Sequence, residues 1–289
     1  MAGWLFAGGA DWPAVRSRMA VGGPLAGPPR GVRVVHSELD GVPCEILTPP
    51  GGTTDTALLY LHGGGFAIGS AQTHRSLTGH LAVAMNATVY ALNYRLAPEN
   101  PYPAANDDCL AAYRALLARG IPAARIVVAG DSAGGALSLD LALRASAQGL
   151  PGPAALGLIC PVLDLSAESS VFTGPADREP LLTAALMRRF LDAYLPDMSQ
   201  RVRRELSPLH RELAGLPPIV LQTAEDDPLH GDALRLADRL RDSVVPLGFR
   251  SYPGLWHAFH AVPMMSARAR AALDELAAAL TAAGDAPRR

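Results

Sequence analysis

The sequence predicts an α/β fold in which a mostly parallel, eight-stranded central sheet carries helices on both faces. Eight apolar runs of β-strand character alternate with amphipathic helix patterns along the 289 residues. Strands and helices that alternate in this way form parallel sheets covered by helices. From residue 56 onward the runs are continuously apolar, which is typical of strands buried on both faces. Such sheets bind ligands beyond the carboxyl ends of their strands.

The individual elements follow one another at regular intervals. A two-residue hairpin signal, Asp40-Gly41, joins the first two strands. In the second helix Leu110, Tyr113 and Leu116 recur at helical spacing. The predicted strands span residues 32–39, 42–47, 56–61, 87–94, 125–130, 154–160, 218–224 and 249–254, and the predicted helices span residues 72–86, 104–119, 133–148, 231–243 and 266–282.

Two segments lie outside this alternation. Residues 1–30 are rich in Gly and Pro, with a short helix predicted around residues 12–19. Residues 165–212 contain a helical stretch at 181–195, which is interpreted either as an inserted helix packed on the core or as a lid over a site, two compatible roles. We expect one domain over residues 1–289, with these segments as a small helical cap. The apolar stripe of the second segment consists of Leu182, Leu186, Phe190 and Tyr194.

Composition excludes several classes of function. The net charge of −2 gives no reason to expect nucleic acid or an anionic membrane as a partner. All 25 basic residues are Arg, and without Lys there is no Schiff-base chemistry, Ser-Lys dyad or Walker-type lysine. No apolar run reaches the roughly 18 residues that indicate a membrane span. A monomer and a homodimer are both compatible with the sequence, because sheets of this type can leave an edge strand exposed.

The three cysteines indicate buried, reduced thiols. Cys44, Cys109 and Cys160 lie far apart and form no CxxC pair, so neither a zinc site nor a disulfide scaffold is predicted. The first residues lack a basic segment ahead of their short apolar stretch, so we expect no signal peptide. Together these features predict a cytoplasmic protein.

The sharpest chemical signal is GDSAGG, residues 130–135. It stands between a predicted strand and a predicted helix, the context in which G-x-S-x-G forms a nucleophile elbow. A sharp turn exposes Ser132 and requires small neighbours, and the following helix directs N–H groups toward developing negative charge. The alternative interpretation is that Ser132 only caps that helix.

A serine nucleophile needs a histidine base held by an acid, in the chain order Ser, acid, His for this type of elbow. His257 follows the last predicted strand and is our candidate for the base, with His260 as runner-up. Three adjacent carboxylates, at positions 225–227, follow the strand at 218–224. We select Asp227, because Pro228 restrains its backbone.

The loop His62-Gly63-Gly64-Gly65 follows the strand at 56–61. Glycines allow backbone N–H groups to approach a substrate carbonyl closely, and acyl transfer needs such donors for its oxyanion. The elbow supplies a further donor, the N–H of Ala133. Taken alone, the loop could equally be an ordinary tight turn.

Five motifs in order resemble the bacterial hormone-sensitive-lipase-like esterases of the α/β-hydrolase fold. They are HGGGF (62–66), YRLAPE (94–99), GDSAGG (130–135), DPL (227–229) and WHAF (256–259), and the resemblance covers roughly residues 30–283. One departure is Ala258, where the family usually has Gly after the histidine; we expect this change to leave the base unaffected. The resemblance implies Ser132 as nucleophile, Asp227 as acid, His257 as base, an oxyanion hole from Gly63, Gly64 and Gly65 with Ala133, and structural roles for Tyr94, Arg95 and Glu99.

The expected activity is hydrolysis of small-molecule carboxylic esters with short or medium acyl chains, or of lactones, with no metal and no organic cofactor. Three alternatives remain open at this point. The same triad can cleave amides, as in N-deacetylation. The fold also hosts acyltransferases and lyases. Some relatives are ligand-binding receptors that lack the catalytic histidine, and the presence of His257 counts against this class.

Overall fold

One eight-stranded sheet runs through the centre of the molecule. The computed structural model describes residues 11–22, 27–52, 55–174 and 182–285. Strand order is β1-β2-β4-β3-β5-β6-β7-β8, with β2 antiparallel to both neighbours and all later pairs parallel. The strands are β1 Arg33–Leu39, β2 Val42–Thr48, β3 Ala57–Leu61, β4 Thr88–Leu92, β5 Ile126–Asp131, β6 Ala155–Ile159, β7 Ile219–Ala224 and β8 Leu247–Tyr252.

Helices cover both faces of this sheet. The helices of the described residues are α1 Trp12–Gly22, α2 Arg75–Ala84, α3 Ala104–Ala118, α4 Ala133–Ala147, α5 Ser170–Thr173, α6 Ala184–Tyr194, α7 Gln200–Leu206, α8 His230–Leu240 and α9 Ala267–Asp285. Helices α2 and α9 bury one face, and α3, α4 and α8 bury the other. None of these helices combines the length and apolar character that crossing a membrane requires.

The central strands are apolar throughout because each contributes to two cores. In β3, Leu59 and Leu61 belong to the core under α3 and α4, whereas Leu58 and Tyr60 belong to the core under α2 and α9. Alternate side chains of a strand point to opposite faces, so both sets must be apolar. The predicted α/β fold with a mostly parallel eight-stranded sheet is confirmed.

Two local expectations had different outcomes. The hairpin at Asp40-Gly41 is confirmed, with positive φ at both residues (50° and 76°), as a tight two-residue turn between antiparallel strands requires. The expectation that every strand from residue 56 onward is buried on both faces is wrong for β8. That strand lies at the edge of the sheet, and its residues are exposed or half-buried.

The two segments outside the alternation meet over the carboxyl edge of the sheet. Helix α1 contains the short helix predicted around residues 12–19, and α6 occupies most of the stretch predicted at 181–195. The rings of Trp12 (α1) and Phe190 (α6) stack with centroids 5.1 Å apart. Parts of both predicted cap segments, residues 1–10, 23–26 and 175–181, lie outside the described residues. Their union in a single cap therefore stays a prediction.

Candidate active site

The strand-to-helix turn after β5 holds Ser132 in a strained conformation. Its φ and ψ are 52° and −117°, values that a residue with a side chain rarely adopts. The flanking glycines have no room for a side chain: a Cβ on Gly134 would overlap the carbonyl oxygen of Leu61, and one on Gly130 would collide with the Gly134 backbone. The GDSAGG sequence thus forms this turn because it supplies small residues where chain segments touch.

Ser132, His257 and Asp227 lie together at the carboxyl edge of the sheet. The Oγ atom of Ser132 is 2.9 Å from Nε2 of His257, and Nδ1 of His257 is 2.8 Å from Oδ2 of Asp227. A carboxylate can only accept, so we assign the proton to Nδ1, which donates to Asp227. Nε2 is then free to accept the hydroxyl proton of Ser132. The N–H of Leu229 donates to the other oxygen of Asp227 at 2.9 Å.

The alternative candidates for the acid and the base make different contacts from those of Asp227 and His257. Of the three adjacent carboxylates, Glu225 is exposed, Asp226 is half-buried, and Asp227 is the one hydrogen-bonded to His257. His260 is buried and its Nε2 lies 3.0 Å from Oε1 of Gln222. Burial lowers the pKa of His260 to about 3, so its ring is neutral near pH 7.

The glycine loop after β3 presents backbone donors beside Ser132. Gly64 and Gly65 have positive φ (116° and 58°), a region in which Gly carries no steric penalty. Within the described residues, the N–H groups of Gly64, Gly65 and Ala133 have no hydrogen-bond acceptor. These groups can therefore bind a substrate oxygen.

Gly63 requires a correction to the predicted oxyanion hole. Its N–H donates to Oδ1 of Asp131 at 3.0 Å and is occupied before any substrate arrives. A Cβ at this position would overlap the Asp131 carboxylate. Gly63 consequently ties the start of the loop to Asp131. Among the described residues, Gly64, Gly65 and Ala133 keep N–H groups that have no acceptor.

A cavity of about 220 Å³ opens at Ser132. Besides Ser132, His257 and the glycine loop, its polar lining comes from His74 and Asp131. The ring of Phe190 lies directly on Gly65, where it leaves no space for a Cβ. The apolar lining consists of Met19, Ile68, Val162, Leu182, Leu186, Met187, Phe190, Ala258 and Ala261.

Sequence reasoning missed the roles of His74 and Asp131. Asp131 is buried, and its Oδ1 accepts the hydroxyl proton of Tyr60 at 2.8 Å in addition to the Gly63 N–H. Nε2 of His74 lies 3.5 Å from the same oxygen. The sequence contains one signal for Asp131: in GDSAGG an acid stands directly before Ser132, where neither core packing nor helix capping calls for a carboxylate.

The YRLAPE residues make structural contacts around the loop. The hydroxyl of Tyr94 donates to the carbonyl of His62 at 2.7 Å. Arg95 forms a 2.7 Å ion pair with Asp108, and Glu99 forms a 2.7 Å ion pair with Arg16 of α1.

Two groups of side chains in the described chain have ligand atoms close enough for a metal ion: Cys160, Asp227 and His257, and Asp164, Glu168 and His210. In the first group Asp227 and His257 are bonded to each other. In the second, Asp164 is bonded to His210. Arg235 also forms an ion pair with Asp164. Because these contacts satisfy the side chains, we assign a metal to neither group.

A strand-to-helix elbow with a buried Ser, His and Asp in contact defines a class of protein, the α/β hydrolases. The family described as having the alpha/beta hydrolase fold matches residues 58–261, which is more than half of the chain. The chain belongs to this family.

Named relatives place it in the esterase branch of the family. It is 40% identical over 229 residues to an acetyl-hydrolase of Streptomyces hygroscopicus, covering 79% of this chain and 76% of the relative. It is 36% identical over 239 residues to carboxylesterase NlhH of Mycobacterium tuberculosis, covering 78% and 73%. A crystal structure of a hormone-sensitive lipase from a metagenome library superposes with a TM-score of 0.89 at 34% identity, covering 95% and 94%. The resemblance to hormone-sensitive-lipase-like esterases is confirmed.

Proposed function

We propose that this protein is a serine carboxylesterase in which Ser132 is the nucleophile, His257 the base and Asp227 the acid. The observation that carries the proposal is the unbroken hydrogen-bond chain from Ser132 through His257 to Asp227, at 2.9 and 2.8 Å. The backbone N–H groups of Gly64, Gly65 and Ala133 lie beside Ser132 and have no acceptor among the described residues. These are the parts that nucleophilic acyl transfer needs.

In this mechanism the Ser132 oxygen attacks the ester carbonyl while Nε2 of His257 takes its proton. The oxyanion of the tetrahedral intermediate accepts hydrogen bonds from the N–H groups of Gly64 or Gly65 and of Ala133, donors that are in place before the reaction begins. The intermediate collapses, and His257 gives the proton to the leaving alcohol. Water, activated by His257, then hydrolyses the acyl-serine and releases the acid. Throughout, Asp227 holds the ring and stabilises its charged form.

The cavity supports small, uncharged substrates. Its volume of about 220 Å³ suits a short acyl chain. Its largely apolar lining disfavours charged substrates, because apolar walls offer no hydrogen bonds to replace the water lost by a charged group. Acetyl-hydrolase and carboxylesterase are the names of the relatives. We therefore propose short-chain carboxylic esters as the preferred substrates, with medium-chain esters and lactones as further members of the substrate class.

The test is hydrolysis of p-nitrophenyl esters from acetate to palmitate by wild type and Ser132→Ala. We expect wild type to peak at a short chain and Ser132→Ala to lose at least about 10⁴-fold in kcat, because binding and the oxyanion hole alone give little catalysis. The matched control is Ser146→Ala, an exposed serine of α4, which should retain full activity. Retained activity in a folded Ser132→Ala protein would overturn the proposal.

A further inference from the structure

A second histidine–aspartate pair lies beside the nucleophile and has no part in the triad. His74 is the last residue of the short 3-10 helix Gln72–His74, and Asp131 immediately precedes Ser132. Both line the cavity, yet their side chains are only 10% and 5% exposed. The pair is thus positioned to act on the site while being shielded from solvent.

The hydrogen bonds around His74 determine where its protons are. Nδ1 lies 3.1 Å from the carbonyl of Ser70 and 2.9 Å from Oγ1 of Thr73. The carbonyl can only accept, and Thr73 already donates its proton to the same carbonyl. Nδ1 must therefore carry a proton. With Nδ1 protonated, a neutral ring would direct the lone pair of Nε2 at the Asp131 carboxylate, whereas the imidazolium directs an N–H at it.

The charges that face His74 favour the imidazolium. Burial alone would lower the pKa of His74, but the charge of Asp131, the contact with its carboxylate and the Ser70 carbonyl outweigh burial and raise it. For Asp131, burial is likewise outweighed, by His74 and by the Tyr60 hydroxyl, which hold its pKa well below the usual range.

The neighbouring ring of His62 is neutral. It stacks on His74 with centroids 5.5 Å apart. Burial and the charge of His74 lower the pKa of His62 to about 3. With His74 charged and His62 neutral, the two rings and the Asp131 carboxylate together carry no net charge.

We propose that His74, as an imidazolium, is a positioning residue for the oxyanion hole. It holds the Asp131 carboxylate in place, Asp131 accepts the N–H of Gly63, and this anchor fixes the loop so that Gly64 and Gly65 face the substrate oxygen. The inference rests on the proposed esterase mechanism, because it concerns donors that act on the oxyanion of that reaction.

The arrangement makes the rate depend on the protonation of His74. When the ring loses its Nε2 proton, a lone pair faces the carboxylate and the ion pair is lost. The Asp131 oxygen that accepts the Gly63 N–H is then positioned by Tyr60 alone and is held less firmly. Since oxyanion donors act mainly in the transition state, kcat should fall while KM, set by the apolar lining, changes little. Because the pKa of His74 is raised, this loss is displaced toward the alkaline side of the pH profile.

The experiment compares wild type, His74→Asn and His80→Asn with p-nitrophenyl acetate across pH 6 to 10. His80 is a matched control, because it pairs with Asp274 of α9 at 2.8 Å and does not line the cavity. We expect His74→Asn to lose about 10- to 100-fold in kcat, with KM within about threefold, as for misplaced catalytic groups. The alkaline fall should be present in wild type and His80→Asn and absent in His74→Asn. An unchanged kcat and profile in His74→Asn would overturn the inference.

A second measurement does not require the His74→Asn variant. Nitrogen-15 NMR of the histidine rings in Ser132→Ala should show both His74 nitrogens protonated at pH 7.5, and a neutral ring there would contradict the inference. The two proposals fail separately. Activity in Ser132→Ala removes the esterase mechanism, whereas an inactive Ser132→Ala with an unaltered His74→Asn removes only the role of His74.

Discussion

Among single residues, Asp227 differs from its two acidic neighbours in the direction of its side chain. The backbone N–H groups of Glu225 and Asp226 bond to the carbonyls of Tyr252 and Leu255, which ties this loop to the segment that carries His257. Asp227 is the third residue of the run, is 3% exposed, and reaches the histidine. Tertiary contacts thus add a second reason to select Asp227, beside the restraint that Pro228 places on its backbone.

We expect Asp227→Asn to lower kcat by about 10⁴-fold, because an amide stabilises the wrong histidine tautomer, as in other serine hydrolases. Asp226→Asn is the matched control and should remain within about threefold of wild type. The measurement is kcat for p-nitrophenyl acetate, with thermal unfolding to verify the fold. Equal losses in the two variants would move the acid to position 226.

Ala258, the neighbour of the base, carries backbone strain. Its φ and ψ are 52° and 33°, the left-handed region that costs a residue with a Cβ about 1–2 kcal/mol. We expect Ala258→Gly to stabilise the protein by about 1 kcal/mol, after the greater entropy of Gly in the unfolded chain is subtracted.

Urea unfolding measures this change, and Ala261→Gly is its control. Ala261 also lines the cavity but has no positive φ, so glycine there should destabilise. A destabilised Ala258→Gly would mean that the left-handed conformation is not strained.

At the scale of elements, α1 and α6 both contribute residues to the cavity lining and contact each other through an aromatic pair. Phe190 of α6 lies on Gly65, and Trp12 of α1 stacks on the Phe190 ring. Arg189 in turn lies 4.4 Å over the Trp12 ring. Arg16 fixes α1 to the loops below by donating to the carbonyls of Ala67 and Ala97. Phe190 therefore contacts both α1 and the glycine loop at the cavity, and we expect it to limit the space open to an acyl chain.

We expect Phe190→Ala to shift the preference toward longer chains, raising the ratio of kcat/KM for octanoate to that for acetate by about tenfold or more, since one methylene in an apolar pocket is worth at least that much. The p-nitrophenyl series measures this ratio. Leu191→Ala is the matched control, because Leu191 is equally buried on α6 but does not line the cavity. A shift of similar size in Leu191→Ala would attribute the effect to loosening of the helix.

At the scale of the whole molecule, buried neutral histidines make stability depend on pH. The pKa values of His62 and His260 are lowered from 6.5 to about 3. A group whose pKa is lower in the folded protein binds fewer protons there than in the unfolded chain, so acid favours unfolding. The stabilisation from these two rings is complete above pH 6.5 and is lost progressively toward pH 3.

We expect the urea midpoint to fall steadily from pH 7 to pH 4.5, and His260→Leu to reduce that slope even if it lowers stability at every pH. His36→Leu is the control, because His36 is 80% exposed and should leave the slope unchanged. An unaltered slope in His260→Leu would show that this ring is not the source of the acid sensitivity.

Local physics explains what the sequence by itself determined: the type and order of the elements, the hairpin at Asp40-Gly41 and the elbow at residues 130–135. Apolar runs, turn residues and glycines act on their immediate neighbours, so their consequences are visible without tertiary contacts. The family resemblance came from the same short motifs.

Tertiary structure alone decided the assignments that join distant parts of the chain. The Gly63 amide meets Asp131 across 68 residues, and the Ser132 hydroxyl meets His257 across 125. The order of the strands and the position of β8 at the edge of the sheet likewise depend on tertiary contacts. A donor or a carboxylate can bond to any partner that the fold brings near, and sequence spacing does not reveal which partner lies within hydrogen-bonding distance. For this reason the glycine loop was predictable as a donor loop, whereas the use of Gly63 as its anchor required the fold.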